Sequence, residues 1–323
     1  MTTTKFRIGA STAALLLGGA AIAAMGAASA QAAPAGPKAT DVSAQVAHYA
    51  VPSTKAASTA AYWTADRMLS ATPIEETLSS SGRTASTAAP AKGTATTYAG
   101  QAAVVPMAAS ESPVSHIGKV FFTLGGSDYV CSGNSISSSN GSVVATAGHC
   151  VNEGPGSFAT NWTFVPAYEN GSAPYGQWTA TDLYAPTQWT SGGDITYDTG
   201  FAVVSGSGTL ADEVGSSSVA FNQARGEGYS AYGYPAASPF NGETLKSCTD
   251  SSSVDDPYGQ SDSQGIDCDM TGGSSGGPWF LGTGSGGTQN SVNSFGYDNV
   301  ADTMFGPYWG SVIQGAYEAA SNA

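Results

Sequence analysis

The chain has little positive charge over most of its length. Of its ten Lys and Arg residues, only Lys119, Arg225 and Lys246 lie beyond residue 110, against twenty Asp and Glu residues. Such an acidic surface repels the phosphates of nucleic acids and the headgroups of anionic membranes. We therefore expect neither nucleic acid nor a membrane surface as a partner.

Long apolar runs are absent after the first 30 residues, so no later segment is expected to span a bilayer. At the N-terminus, Lys5 and Arg7 precede a run of Ala, Leu and Gly, and Ala28-Ser29-Ala30 places small residues at the spacing of a cleavage site. Residues 1–30 therefore predict a secretory signal peptide rather than a transmembrane helix. The mature protein is expected to be secreted and extracellular.

Cysteine is scarce, with four residues in the chain. In an exported protein four cysteines predict two disulfides, and the spacing favours Cys131 with Cys150 and Cys248 with Cys268. Each bond would close a loop of about 20 residues, which stabilises the fold by about 3 kcal/mol in the chain-entropy model. The alternative is a zinc site, which normally needs short paired Cys/His spacings that this chain lacks. We expect no metal and no organic cofactor.

Residues 31–110 contain few large apolar side chains and much Ala, Thr and Ser. A segment of this composition cannot bury a core of its own. It predicts a weakly ordered linker or, as we favour, a propeptide that acts as a partner of the remaining chain. Tyr62 to Leu69 is the exception and indicates a short helix.

From residue 111 to 323, short apolar runs alternate with turn residues, which indicates many short strands and an all-β barrel or sandwich. The runs are Val120–Phe122, Ser142–Ala145, Trp162–Val165, Gly200–Val204, Tyr229–Tyr234, Gly277–Leu281 and Ser291–Gly296. The ending differs, because apolar residues from Pro307 to Ala320 recur at helical spacing. This pattern predicts a C-terminal α-helix.

Gly273-Ser274-Ser275-Gly276-Gly277-Pro278 is the strongest chemical signal. Glycines surround a serine where the backbone must turn tightly and approach another molecule. In acyl transfer the serine hydroxyl attacks a carbonyl, and backbone N–H groups stabilise the oxyanion that forms. Ser275 is the predicted nucleophile, and the N–H groups of Gly273 and Ser275 are the predicted oxyanion hole. A glycine-rich β-turn is the structural alternative.

Thr146-Ala147-Gly148-His149-Cys150 follows an apolar run and presents a histidine beside a predicted half-cystine. Imidazole can accept and return a proton near neutral pH, so His149 is the predicted general base. The other histidine of this region, His116, has no orienting neighbour in the sequence. Asp198 precedes an apolar run and is predicted to orient the imidazole. Asp194, in a glycine turn, is the rival carboxylate.

These three segments, in this order and with the Cys131–Cys150 pair, resemble the chymotrypsin-like serine peptidases from about Val114 to Ala320. The histidine and serine segments match the motifs of that family, and Ser274, where animal enzymes have Asp, makes the chain more similar to secreted bacterial members, including the glutamyl endopeptidase-like group. The resemblance implies two packed six-stranded antiparallel β-barrels with the active site between them.

The resemblance also implies a monomeric serine endopeptidase that acts on proteins and peptides. Asp269, six residues before Ser275, would lie buried at the base of the pocket for the residue before the cut and would favour Lys or Arg there. Ser294-Phe295-Gly296 would pair with the substrate backbone and line that pocket. Glutamyl-specific relatives have His where this chain has Asn293, which argues against acidic specificity.

Two other functions fit parts of the pattern. An α/β-hydrolase esterase also has a Gly-x-Ser-x-Gly turn, but its histidine follows the serine, and no histidine follows Ser275 here. A catalytically inactive binding module on a peptidase scaffold is the alternative from another class. Reaction of Ser275 with a fluorophosphonate distinguishes the endopeptidase from this module.

Overall fold

The computed structural model describes residues 45–74, 92–100, 113–282 and 284–323, together with the backbone of 76–78. These residues belong to one compact unit, Asp41–Ala323. The predicted signal peptide, residues 1–30, lies outside the described residues, as do parts of the predicted propeptide. Among the described residues, no helix has both the length and the apolar composition needed to cross a membrane.

Short strands dominate the described residues. In chain order they are β1 (Val46–Ala50), β2 (Thr72–Pro73), β3 (Glu76–Leu78), β4 (Thr96–Tyr98), β5 (Ile117–Leu124), β6 (Ser127–Ile136), β7 (Val143–Thr146), β8 (Thr160–Pro166), β9 (Trp178–Pro186), β10 (Gly200–Ser205), β11 (Ser218–Phe221), β12 (Tyr229–Gly233), β13 (Lys246–Asp250), β14 (Val254–Asp255), β15 (Gln264–Asp267), β16 (Pro278–Leu281), β17 (Thr288–Val292), β18 (Phe295–Tyr297) and β19 (Val300–Gly306). The α-helices are α1 (Ser53–Tyr62), α2 (Ala65–Ser70), α3 (Thr187–Gly192), α4 (Leu210–Val214) and α5 (Ser311–Ser321).

The six strands β5 to β10 form a closed antiparallel barrel. Each strand pairs with its neighbours in the order β5–β6–β7–β10–β9–β8, and β8 pairs again with β5. β5 turns into β6 through Gly125 and Gly126, whose φ values of 56° and 86° suit the type I′ turn of a two-residue hairpin. Val120, Val144 and Phe164 are fully buried in one hydrophobic cluster. Closure gives every strand of the barrel two hydrogen-bonded neighbours, including β7 and β10.

The second half of the chain contains two further sheets. One has the strand order β13–β12–β16–β17–β11–β4, and the other has the order β14–β15–β19–β18–β3. The all-β prediction is therefore confirmed, with one closed six-stranded barrel in the first half. The strands of the second half lie in two sheets, each with a strand from residues 31–110, the N-terminal region, at its edge.

The predicted C-terminal helix is confirmed as α5, which packs against β9 and β10. It begins at Ser311, later than the predicted start at Pro307, because Trp309 enters the core and Gly310 is extended as the N-cap. The Trp309 ring stacks on Phe221 with centroids 5.4 Å apart, and its indole N–H donates to Thr199 Oγ1 at 3.2 Å. The buried Trp309, which precedes α5, therefore holds Thr199, the residue that follows Asp198.

The described parts of the N-terminal region, residues 45–74 and 92–100, are more ordered than their composition indicates. β1 pairs antiparallel with β9 over five residues, and α1 and α2 follow it. Trp63 is 2% exposed, contacts Phe121 at a centroid distance of 5.5 Å, and donates its indole N–H to the carbonyl of Asn161. The expected helix over Tyr62 to Leu69 is seen as the end of α1 and most of α2. These parts are ordered because the rest of the chain supplies the core that they lack.

Both predicted disulfides are present. Cys131 is bonded to Cys150 and Cys248 to Cys268, with sequence separations of 19 and 20. The described residues contain no free cysteine.

Because the two loops are of nearly equal length, replacing either cysteine pair by alanine should lower the free energy of unfolding by about 3 kcal/mol. The measurement is urea unfolding of the two double variants in a Ser275→Ala background, which prevents self-cleavage. A loss confined to one pair would show that local packing, not loop closure, sets the contribution of the disulfides.

Candidate active site

His149 lies where a barrel strand paired on both sides ends. β7 is hydrogen-bonded to β6 and to β10, and the chain then enters a 3₁₀ helix, Gly148–Cys150. The disulfide from Cys150 to Cys131 joins this helix to β6. His149 is therefore held in a rigid position, and it is 2% exposed.

Asp198 is fully buried and accepts hydrogen bonds from two parts of His149. Its Oδ1 accepts from the His149 backbone N–H at 2.7 Å, and its Oδ2 lies 2.7 Å from His149 Nδ1. The hydroxyl of Ser294 donates to the same Oδ2 at 2.6 Å. Because the carboxylate oxygens are acceptors in this network, the proton is assigned to Nδ1. The lone pair of a neutral imidazole is then on Nε2.

The rival carboxylate has a different role. Asp194 Oδ1 accepts a hydrogen bond from the Thr196 backbone N–H at 3.1 Å, so it caps the 3₁₀ helix Ile195–Tyr197. Asp194 is partly exposed, whereas Asp198 is not exposed at all. The structure therefore brings Asp198, and not Asp194, to the histidine.

The turn around Ser275 packs against the same strands. Gly273 and Gly276 have φ values of 96° and 80°, which disfavour any residue with a Cβ. A Cβ at Gly276 would also collide with Thr146 Oγ1. The Ser132 N–H on β6 donates to the Ser275 carbonyl at 2.7 Å, and Cys150 Sγ lies 3.8 Å from the same oxygen. These contacts place the serine turn beside the histidine segment.

A peptide carbonyl from the N-terminal region lies at the predicted oxyanion hole. The Gly273 N–H donates to the Ile74 carbonyl at 3.1 Å, and the Ser275 hydroxyl lies 3.5 Å from the same oxygen. Gly273 thus presents its N–H to a carbonyl oxygen, as an oxyanion hole requires. Nothing in the sequence pattern pointed to Ile74.

The three residues predicted to pair with the substrate, Ser294 to Gly296, make different contacts. Ser294 lies between β17 and β18 and its hydroxyl contacts Asp198. Phe295 is buried and stacks on Phe305, with ring centroids 5.1 Å apart. Gly296 is partly exposed in β18, where its backbone pairs with the N-terminal strand β3.

Asp269 does not occupy the buried position that the resemblance implied. Its neighbours Cys268 and Met270 are each 6% exposed, whereas Asp269 is exposed. In an extended chain successive side chains alternate between faces, so burial of the two neighbours turns Asp269 outward. A hydrated carboxylate interacts weakly with a partner charge.

Asn293 positions the serine turn. The sequence indicated only that Asn at this position argues against acidic specificity. It is fully buried, and its Nδ2 donates to the carbonyls of Tyr232 at 2.9 Å and Ser274 at 3.0 Å. Its Oδ1 accepts from the indole N–H of Trp279 at 2.7 Å. The side chain thereby joins the serine turn to the strands β12 and β16.

His116 belongs to a structural network away from Asp198. Its Nδ1 lies 2.7 Å from Asn134 Oδ1, and Asn134 Nδ2 donates to Ser217 Oγ at 2.7 Å and to Gln289 Oε1 at 2.8 Å. Burial lowers the pKa of His116, which favours the neutral ring. The sequence preference for His149 over His116 agrees with this placement.

One cluster of side chains in the described residues has the spacing of a metal site. Donor atoms of Cys131, His149 and Cys150 lie within 4.8 Å of one another. A metal requires thiolate ligands, but both sulfur atoms are joined in a disulfide. This donor set therefore does not fit a metal ion.

Two solved proteases are each similar to about two thirds of this chain. The protease Anisep from Arthrobacter nicotinovorans is 64% identical, over 66% of this chain and 99% of that chain, with a TM-score of 0.65. The thermostable serine protease AL20 from an extremophilic microorganism is 52% identical, over 65% and 98% of the two chains, with a TM-score of 0.62. A Glu endopeptidase in complex with MPD is 19% identical over 70% and 98%, with a TM-score of 0.51, and shows the fold alone.

These similarities identify the class of the protein: the chain belongs to the chymotrypsin-like serine peptidases and is a serine-type endopeptidase. The "Extracellular metalloprotease" of Bacillus subtilis (strain 168) is also 36% identical over 81 residues. The chain spans about a quarter of the length of that relative. No family model matches the chain.

Asp198→Asn should lower kcat by about 10⁴-fold, because an amide at this position favours the wrong tautomer of His149. Asp194→Asn is the matched control, since asparagine also caps helices and should leave activity unchanged. Steady-state kinetics on a chromogenic peptide, with circular dichroism to confirm folding, measures both. Equal losses in the two variants would contradict the role given to Asp198.

Proposed function

We propose that this endopeptidase is exported and hydrolyses peptide bonds through an acyl-enzyme on Ser275, with His149 as general base and Asp198 as its orienting partner. The observation that supports this best is the pair of hydrogen bonds that one buried carboxylate accepts from the backbone and ring of His149. The serine turn packs against the same strands, and its Gly273 N–H faces a carbonyl oxygen.

In the proposed reaction, His149 Nε2 accepts the proton of the Ser275 hydroxyl while the oxygen forms a bond to the substrate carbonyl carbon. The N–H groups of Gly273 and Ser275 stabilise the oxyanion, and losing one such donor typically costs about 10²–10³ in rate. The imidazolium then protonates the amide nitrogen, and the carbon–nitrogen bond breaks. A water molecule activated by His149 hydrolyses the acyl-enzyme by the same steps and restores the hydroxyl.

Export and maturation are also part of the proposal. The N-terminal 30 residues have the pattern of a signal peptide, and two disulfides suit an oxidising, extracellular compartment. We propose that residues 31–110 are a propeptide and that residues 111–323 are the peptidase domain. The related proteases support this division, because nearly the whole of each matches about two thirds of this chain.

A fluorophosphonate should label Ser275 of the processed protein, because the reagent reacts with a serine activated by a general base. Ser275→Ala should abolish both labelling and peptide cleavage. Ser274→Ala is the matched control, since the Ser274 hydroxyl is directed to the Thr271 carbonyl at 2.8 Å. Absence of labelling in the processed parent protein would instead favour the inactive binding module.

The most specific part of the proposal is a preference for substrates with Lys or Arg before the cut. Because Asp269 is exposed, its ion pair with a substrate is worth about 0.2–1 kcal/mol, or about a one- to fivefold preference. Asp269→Asn should remove this preference, whereas Asp267→Asn, at an exposed position two residues earlier, should not. Values of kcat/KM for peptides that differ only in Arg, Phe or Glu before the cut decide this. Higher values for Phe or Glu would reject the basic preference.

A further inference from the structure

Six residues of the N-terminal region run through the candidate active site, and we call residues 72–74 and 76–78 the cleft segment. Its first part pairs with the closed barrel. Thr72 and Pro73 lie opposite Tyr129 and Val130 of β6 in a parallel pairing, and the Ile74 N–H lies 3.4 Å from the Val130 carbonyl.

Its second part pairs with the other half of the chain. The backbone at positions 76–78 lies opposite Phe295, Gly296 and Tyr297 of β18, again in a parallel pairing. Between the two parts, the Ile74 carbonyl accepts the Gly273 N–H and faces the Ser275 hydroxyl. The cleft segment therefore passes from β6, over the serine, to β18.

The chain direction of the cleft segment is opposite to that of a substrate bound for cleavage. This comparison rests on the proposed function. In the proposed substrate complex, residues up to and including the one before the cut lie along Ser294-Phe295-Gly296. Residues after the cut must then lie on the other side of Ser275, against β6. In the cleft segment the residues before the Ile74 carbonyl lie on β6, and those after it lie on β18.

Reversed polarity has a chemical consequence. Cleavage requires His149 to protonate the nitrogen that follows the attacked carbonyl, and in a substrate that nitrogen lies on the β6 side. After Ile74 the chain instead continues towards β18. The Ser275 hydroxyl can therefore lie against the Ile74 carbonyl although the nitrogen that follows this carbonyl is not placed where His149 could protonate it.

We propose that the cleft segment is a built-in inhibitor, which keeps the enzyme latent by occupying the cleft backwards and is not cut between positions 74 and 75. The segment is attached on both sides of the cleft. Before it, Arg67 and Tyr62 both contact Asp128, at 3.2 Å and 2.8 Å. After it, β4 pairs antiparallel with β11. Activation then requires cleavage outside the cleft segment and release of the N-terminal region.

Cysteine cross-linking in the full chain with Ser275→Ala tests the polarity. Thr72→Cys with Tyr129→Cys should form a disulfide, because these positions are opposite each other in the pairing. Thr72→Cys with Gly296→Cys is the matched control and should not. Peptide mapping by mass spectrometry identifies the bonds. A bond from position 72 to 296, or no bond to 129, would overturn the proposal.

Latency is tested by fluorophosphonate labelling of the uncut full-length chain. Replacing residues 72–78 by a Gly/Ser linker of equal length should accelerate labelling about a hundredfold, which corresponds to a parent cleft that is open in about 1% of molecules. The same replacement at residues 79–85 is the control and should leave the rate unchanged. Cleavage between 74 and 75 in the parent chain, or equal labelling of all three chains, would reject built-in inhibition.

The two hypotheses fail differently in these experiments. If neither the 72–78 linker variant nor the processed enzyme is labelled, the proposed catalytic function is wrong. If both are labelled as fast as the uncut parent chain, only the inhibition proposal is wrong. The cross-link needs no activity, so it reports on polarity in either case.

Discussion

The arrangement of the candidate active site depends on the buried carboxylate of Asp198. Removing a carboxylate from water costs several kcal/mol unless hydrogen-bond donors surround it. Two of its donors belong to His149 in the closed barrel, and the third is Ser294, which follows β17 in the second half of the chain. The same group therefore orients the imidazole and ties the two halves of the molecule together at the cleft. The contact between the two halves and the alignment of the proposed catalytic groups therefore depend on the same side chain.

Local sequence patterns were sufficient to predict the features that depend on residues close together in the chain. The run Val143–Ala145 predicted the strand that presents His149, and the glycines around Ser275 predicted a turn that only glycine permits. The pairing of cysteines nearest in sequence predicted both disulfides. Each of these features is determined by backbone conformation or by the length of a short loop. Composition and spacing are therefore sufficient to predict it.

Features that depend on distant partners were not predictable in this way. The run Ser291–Gly296 indicated one strand, but the chain is divided at Asn293 and Ser294 because their side chains bond to Tyr232 and Asp198. β6 was not recognised, since it contains buried polar residues such as Asn134 that are satisfied by Ser217 and Gln289. Periodicity treats such residues as exposed. Asp269 was misplaced because its orientation is set by the burial of its two neighbours.

The strand β1 has one more consequence. It covers Asp182 to Pro186 of β9, and its His48 lies 2.8 Å from Asp182. In the proposed maturation, release of the N-terminal region would uncover this stretch of backbone, which another chain could then join as an added strand. Asp182 gives the uncovered edge a charge without a counterion, and Pro186 offers no N–H there. Both features oppose aggregation through this edge, so β9 is suited to the solvent exposure that the proposed maturation implies.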